Sequence, residues 1–168
     1  KIANIQKKQL NAIAFTRGPG LLGSLLVGSS FAKSLSLSLN IPLIEINHMR
    51  AHVIANFIEN KEAPPPSFPL LCLTVSGGHT QIVFVKSIED MKILGQTLDD
   101  SAGEAFDKSA KILGLGYPGG PIIEKKSIGG NANKFIFTEP KVNDLNFSFS
   151  GLKTQIFMFL KKESKKNP

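Results

Sequence analysis

Residues 11–47 read NAIAFTRGPGLLGSLLVGSSFAKSLSLSLNIPLIEIN, and the order of patterns in this stretch decides the fold. Asn11-Ala-Ile-Ala-Phe-Thr16 reads as a buried strand and Arg17-Gly-Pro-Gly20 as a turn. Leu21 to Leu39, rich in Leu, Ser, Ala and Gly, reads as a helix, and Asn40 ahead of Ile41-Pro42 is a good stop signal. Leu43 to Ile46 is a second strand, after which His48 opens a helix expected to run to about Ile58. The order β-α-β-α favours parallel strands joined by helical crossovers, hence an α/β fold.

Further on, Glu62-Ala-Pro-Pro-Pro-Ser-Phe-Pro69 breaks the pattern. Three consecutive prolines continue neither a helix nor a central strand, so 62–69 is a stiff connector between a first part, 1–61, and a second, 70–168. The second part changes to β-β-β-α. Leu70–Val75, Thr80–Val85 and Lys92–Leu98 read as strands, with a hairpin at Gly77-Gly78. A helix is expected over Gly103–Leu113, with Ser101 as N-cap and Glu104 at the capping-box spacing. Residues 114–121 form a loop feeding a short helix, 127–133 are polar and loose, and Ser150 or Gly151 starts a last amphipathic helix.

Composition sets the outer bounds. At 168 residues, 42% hydrophobic and 20% charged, the chain has material for a real core. No run approaches 18 uninterrupted apolar residues, so no membrane span is expected. The single cysteine, Cys72, reads as a small buried hydrophobe; it excludes an internal disulfide and leans towards a reducing, cytoplasmic setting. The net charge of +7 admits a polyanionic partner, although many of the lysines sit in terminal segments. The chain starts at Lys1 without Met and carries no visible signal peptide, and it reads as a fragment.

Three motifs carry chemistry. His48 and His52 stand four residues apart, which stacks two imidazoles on one helix face and makes half of a metal site. A zincin peptidase would place Glu directly after the first histidine, where this chain has Met49. Gly18-Pro-Gly-Leu-Leu-Gly23 matches the dinucleotide fingerprint GxGxxG, with Glu45 suitably spaced on the next strand, so an NAD-binding oxidoreductase is the rival reading. Against it, Pro19 removes a backbone donor that a pyrophosphate would use. Ser76-Gly-Gly-His-Thr80 is a glycine hairpin flanked by hydroxyls, able to bring backbone N–H groups to a phosphate. Asp99, Asp100, Glu104 and Asp107 cluster about a helix start, where a carboxylate can take a ribose diol or simply complement the helix dipole. Tyr117-Pro-Gly-Gly-Pro121 offers bare backbone against which an adenosine could lie.

In order, Gly18-Pro-Gly-Leu, Asn47-His-Met-x-x-His52, Val75-Ser-Gly-Gly-His-Thr-Gln81, Asp99-Asp-x-Ala-Gly-Glu-Ala-Phe-Asp-Lys108, Gly116-Tyr-Pro-Gly-Gly-Pro121 and Phe147-Ser-Phe-Ser-Gly-Leu-Lys-Thr154 resemble the tRNA N6-adenosine threonylcarbamoyltransferase family, from about residue 12 to 160. That family, formerly labelled glycoprotease or O-sialoglycoprotein endopeptidase, belongs to the actin/Hsp70-like ATPases, whose two RNase H-like lobes each carry a β-β-β-α-β-α core. The resemblance implies that this chain holds the end of lobe one and the start of lobe two. It implies transfer of threonylcarbamoyl from threonylcarbamoyl-AMP to N6 of the adenosine 3′ of the anticodon in tRNAs reading ANN codons.

Carried over by motif, His48 and His52 would bind one divalent metal, iron or zinc. Ser76, Gly77, Gly78, His79 and Thr80 would hold the phosphate and acyl end of the adenylate, and Asp107, Gly120 and Glu124 its ribose and adenine. Partners would be tRNA and accessory subunits, in bacteria a non-catalytic paralogue and a small ATPase, with no membrane. Arg50 and Ala51 stand where many members have Glu and Gly. The family's third metal ligand, an aspartate, lies downstream of the last residue here, and its first nucleotide-binding strands precede Lys1. A metallopeptidase, the family's older label, and a non-enzymatic scaffold in a tRNA-modifying complex are the remaining alternatives.

Overall fold

The computed structural model describes residues 4–59 and 64–166, so residues 62 and 63 of the expected connector fall outside the described residues. The chain divides into two compact units, Lys1–Pro66 and Ser67–Pro168.

In the first unit, β1 (Ile13–Gly18) and β2 (Leu43–Asn47) pair in parallel and α1 (Leu22–Leu39) crosses between them. The register sets Ile13 opposite Leu43 and Thr16 opposite Ile46, then slips so that Gly18 meets Asn47. That irregularity absorbs Arg17, so β1 extends over the first two residues of the expected turn. Gly18 closes the strand at φ +148°, a backbone conformation that side chains disfavour. As the sequence suggests, α1 stops at Asn40, which turns left-handed (φ 52°, ψ 47°), and the Ile41 N–H closes on the Ser36 carbonyl at 3.2 Å.

By length and composition alone α1 is long and apolar enough to cross a membrane, with a mean hydropathy of 1.2. Its six serines and Lys33 interrupt the apolar run without lowering the mean much. The Ser29 and Ser34 hydroxyls also donate to the carbonyls of Leu26 and Ser30, satisfying their polarity within the helix. In this fold α1 is the crossover of a β-α-β unit.

Helix α2 (His48–Ile54) starts under an Asn47 cap, whose side chain accepts from the Arg50 N–H at 3.0 Å. It gives way to a 3-10 turn at Ala55–Phe57, earlier than expected. The Asn56 amide donates to the carbonyls of His52 and Val53, competing for the acceptors another helical turn would use.

The second unit opens with an antiparallel meander, β3 (Leu70–Val75), β4 (Thr80–Val85) and β5 (Met91–Gln96), in that spatial order. β5 ends before the expected Leu98: Thr97 still reaches the first residue of β4, but from there the chain turns to Phe147. The Thr97 N–H bonds Thr80 O, and Leu98 N–H bonds Phe147 O, where Thr97 and Phe147 form a parallel bridge. Three helices follow: α3 (Ala102–Ile112), α4 (Gly119–Ser127) and α5 (Ser150–Lys166). α4 begins inside the stretch expected to be loop, at Gly119.

Among the described residues, the buried apolar side chains of the first unit are Ala32 and Val53, whereas the second buries Cys72, Val83, Val85, Ala105 and Ala110. The larger core therefore lies in the second unit. Cys72 is the small buried thiol expected, its pKa pushed up by burial.

Candidate functional site

The two histidines meet as their spacing requires. Their ring centroids are 4.7 Å apart and their Nε2 atoms 3.0 Å apart. His48 Nδ1 lies 2.9 Å from the Pro19 carbonyl oxygen. A carbonyl only accepts, so Nδ1 carries the proton and Nε2 of His48 presents a lone pair. The His52 Nε2–H then donates across the 3.0 Å contact, and metal binding would require that proton to leave or move to Nδ1. Two nitrogens at about 2.0–2.1 Å from one ion are about 2.9 Å apart at a right angle and about 3.3 Å apart in a tetrahedron. The observed separation lies between these values, so the pair fits a divalent metal as two of its ligands.

No group of three or more His, Cys, Asp or Glu residues able to hold a metal occurs among the described residues, so the pair is half a site. Pro19 thus has a role that the sequence does not disclose: it denies a pyrophosphate one donor and lends His48 an acceptor. The NAD reading also weakens at Glu45, whose carboxylate is 2.8 Å from Arg17 on the neighbouring strand. Both line a cavity of about 280 Å³ beside α2, with Asn47 and Arg50.

In the second unit, the Ser76–Thr80 loop is seated on the start of α3. Ser101, almost wholly buried, donates to Gly77 O at 2.8 Å and accepts from the Glu104 N–H, the cap that the sequence predicts. The Glu104 carboxylate does not return to the cap but pairs with Lys108 at 2.8 Å. Buried Thr80 accepts from the Ala102 N–H at 3.0 Å, and Gly103 N–H reaches Ser76 O. A Cβ on Gly103 would stand 2.7 Å from that oxygen and 2.8 Å from the Gly77 Cα, so glycine is required by close approach.

The loop's donors are partly engaged already. Ser76 Oγ accepts from the N–H groups of Gly78 (3.3 Å) and His79 (3.0 Å). A phosphate taking those donors would displace the serine hydroxyl, which the sequence alone did not indicate.

Of the four carboxylates about the α3 start, three are committed to structure. Asp99 Oδ1 accepts from the N–H groups of Phe149 and Ser150, and Oδ2 from the hydroxyls of Ser148 and Ser150 at 2.6 and 2.8 Å. Partial removal from water would raise its pKa, but the four hydrogen bonds outweigh it and hold the carboxyl at about 2. Asp100, 14% exposed, lies 2.6 Å from Lys108 and 3.4 Å from Lys153; mainly the Lys108 hydrogen bond lowers its pKa. Both oxygens of Asp99 and of Asp100 are thus engaged, whereas Glu104 has one oxygen on Lys108.

Asp107 differs. Its Oδ1 accepts from the Gly119 N–H at 2.7 Å, tying the start of α4 to α3. Gly119 is buried, and a Cβ there would meet Ala110 Cβ, Asp107 Cα and Phe106 O, each at 2.7 Å. Gly120 beside it is open, with nothing within 4 Å of a Cβ position. Exposed Glu124 follows one turn later on the same face of α4. Asp107 stands four residues beyond Gly103, about 6 Å along α3 from the glycine loop. The Ser76–Thr80 loop seated on the start of α3, Asp107 on α3, and Gly120 and Glu124 on α4 thus belong to the second unit, and the His48–His52 pair to the first.

The first unit thus carries two imidazoles spaced to share a metal, and the second a glycine loop seated on α3 beside Asp107, one of whose carboxylate oxygens has no partner. The chain belongs to the TsaD family, tRNA N6-adenosine threonylcarbamoyltransferase, which it matches over residues 1–164. It is 62% identical over 166 residues to proteins of that name from Riemerella anatipestifer and Christiangramia forsetii, each alignment covering 99% of this chain and 49% of the relative. A relative of the same name from Thermosipho africanus is 53% identical over 168 residues, 99% of this chain and 50% of its own. The chain spans about half the length of the curated relatives it matches.

Proposed function

We propose that this chain supplies the adenylate-holding loop and half of the metal site of an enzyme that moves threonylcarbamoyl from threonylcarbamoyl-AMP to N6 of the tRNA adenosine 3′ of the anticodon, in tRNAs reading ANN codons. The observation that carries this reading is the seating of the Ser76–Thr80 loop on the start of α3, the helix whose Asp107 holds Gly119 beside Gly120 at the start of α4. The first unit is the end of one actin-like lobe and the second the start of the other.

In the reaction, the N6 amine attacks the carbamoyl carbon. The new C–N bond forms as the bond to the phosphate oxygen breaks, AMP departs and the amine gives up a proton. The second unit binds and orients the donor. Backbone N–H groups of Gly78 and His79, released from Ser76 Oγ, would meet phosphate oxygens and steady the charge growing there. Asp107, one oxygen occupied by Gly119, has Oδ2 to accept from a ribose hydroxyl. Gly120 lets the nucleoside approach the backbone, with Glu124 on the same face. His48, its tautomer set by Pro19, and His52 would hold iron or zinc, which as a Lewis acid polarises a carbonyl or phosphoryl oxygen. Cytoplasmic operation with a non-catalytic paralogue and a small ATPase completes the reading.

The test is to incubate the full-length protein with tRNA, ATP, threonine, bicarbonate and the adenylate-forming and accessory proteins, then analyse nucleosides by mass spectrometry. Threonylcarbamoyl-adenosine is expected with the wild type and not with His48→Ala. No product with metal and partners confirmed present would sink the proposal.

A further inference from the structure

We propose that Tyr117 is the stacking platform for the adenine of the nucleotide held at Asp107 and Gly120, an inference that rests on the adenylate reading above. Tyr117 is 83% exposed, the most exposed aromatic side chain among the described residues. A ring left so far in water contributes little to the core. It is nevertheless not on a loose loop. Two residues on, Gly119 donates to Asp107 Oδ1 at 2.7 Å and is wedged against Ala110, Asp107 and Phe106. Chain connectivity keeps the Tyr117 Cα within about 7 Å of that anchored glycine.

The neighbouring aromatic on α3, Phe106, is less exposed, at 48%. It lines an apolar cavity of about 250 Å³ with Leu113, Ile123, Leu152 and Ile156, between α3, α4 and α5. The side of α4 beyond Asp107 is open at Gly120. A ribose on Asp107 Oδ2 therefore has the open backbone of Gly120 beside it and Tyr117, the more exposed of the two nearby aromatics, at the start of the same turn. A flat base needs a π-face rather than a hydrogen-bond partner for most of its binding energy, and tyrosine provides one at low entropic cost.

Calorimetric titration of the full-length protein with AMP and with ribose 5-phosphate, which lacks the base, tests this. Tyr117→Ala is expected to weaken AMP roughly ten- to a hundredfold, the size of one base–aromatic stack, while Tyr117→Phe keeps it. Ribose 5-phosphate is expected to bind all three proteins alike. AMP should also quench the tyrosine emission obtained as wild type minus Tyr117→Phe, whereas ribose 5-phosphate should not. Equal AMP affinity in wild type and Tyr117→Ala would overturn the stack and leave the adenylate site standing. A wild type that binds neither probe would overturn the adenylate site and the stack with it. Because the ring is exposed, Tyr117→Ala should melt with the wild type; a lowered melting temperature would mark a structural role and also count against the proposal.

Discussion

Asp107 shows how one carboxylate can serve fold and site together. Its Oδ1 satisfies the Gly119 N–H, and an amide left without that partner costs about 1–3 kcal/mol. Asp107→Ala should therefore lower the melting temperature as well as abolish AMP binding. Asp107→Asn keeps an acceptor oxygen, so calorimetry should find weakened AMP binding at nearly unchanged stability; equal loss of both would mean that the residue only builds the fold. The glycines divide in the same manner. Gly103→Ala puts a Cβ 2.7 Å from Ser76 O and should cost about 1–3 kcal/mol in urea unfolding, by overpacking. Gly120→Ala meets nothing within 4 Å, so it should leave the urea midpoint in place and instead impair the nucleotide. A sequence shows both as glycine; their difference is one of neighbours.

At the scale of elements, the link between α3 and α5 explains two motifs at once. Asp99 caps the start of α5 through Phe149, Ser150 and Ser148, and Asp100 takes Lys153 from the same helix while holding Lys108 on α3. The Asp-Asp pair and the Ser-Phe-Ser-Gly-Leu-Lys run thus form one clamp, though some 50 residues separate them. Asp99 has a folded pKa of about 2 against an ordinary 3.8. A depressed carboxylate stabilises most above its unfolded pKa, and that contribution is lost as the pH falls through the folded one. Docking of α5 should therefore loosen between about pH 4 and pH 2, seen as rising amide exchange in 150–160. Asp99→Ala should show fast exchange already at neutral pH and lose that acid dependence; a wild-type-like profile would remove Asp99 from the clamp.

For the whole molecule, charge and exposure matter more than single contacts. A net charge of +7 suits a polyanion, and affinity gained by releasing counterions falls with salt. If at least two phosphates are neutralised, tRNA binding by the full-length protein should weaken about tenfold or more between 50 and 200 mM salt, read by filter binding. A flat salt dependence would assign the charge to solvation alone. Apolar surface is also left uncovered: β3 turns Cys72 and Thr74 inward but leaves Leu71, Leu73 and Val75 more than half exposed, and α1 does the same with Leu22, Val27 and Phe31.

Sequence by itself determined the elements and their kinds, because period and punctuation are local properties. The β-α-β start, the Asn40 stop, the Asn47–His48–His52 spacing and the Ser101 cap all follow from residues within a few positions of one another. The histidine pair could be read for the same reason, since four residues of helix bring two rings together whatever surrounds them. Tertiary structure decided what each polar group is for. It occupied Glu45 with Arg17, gave His48 the Pro19 carbonyl, spent Asp99 and Asp100 on α5 and left Asp107 with a free oxygen. Apart from Asp107, whose partner is on the next helix, these pairings span 28 to 53 residues, and no local pattern encodes which donor will arrive.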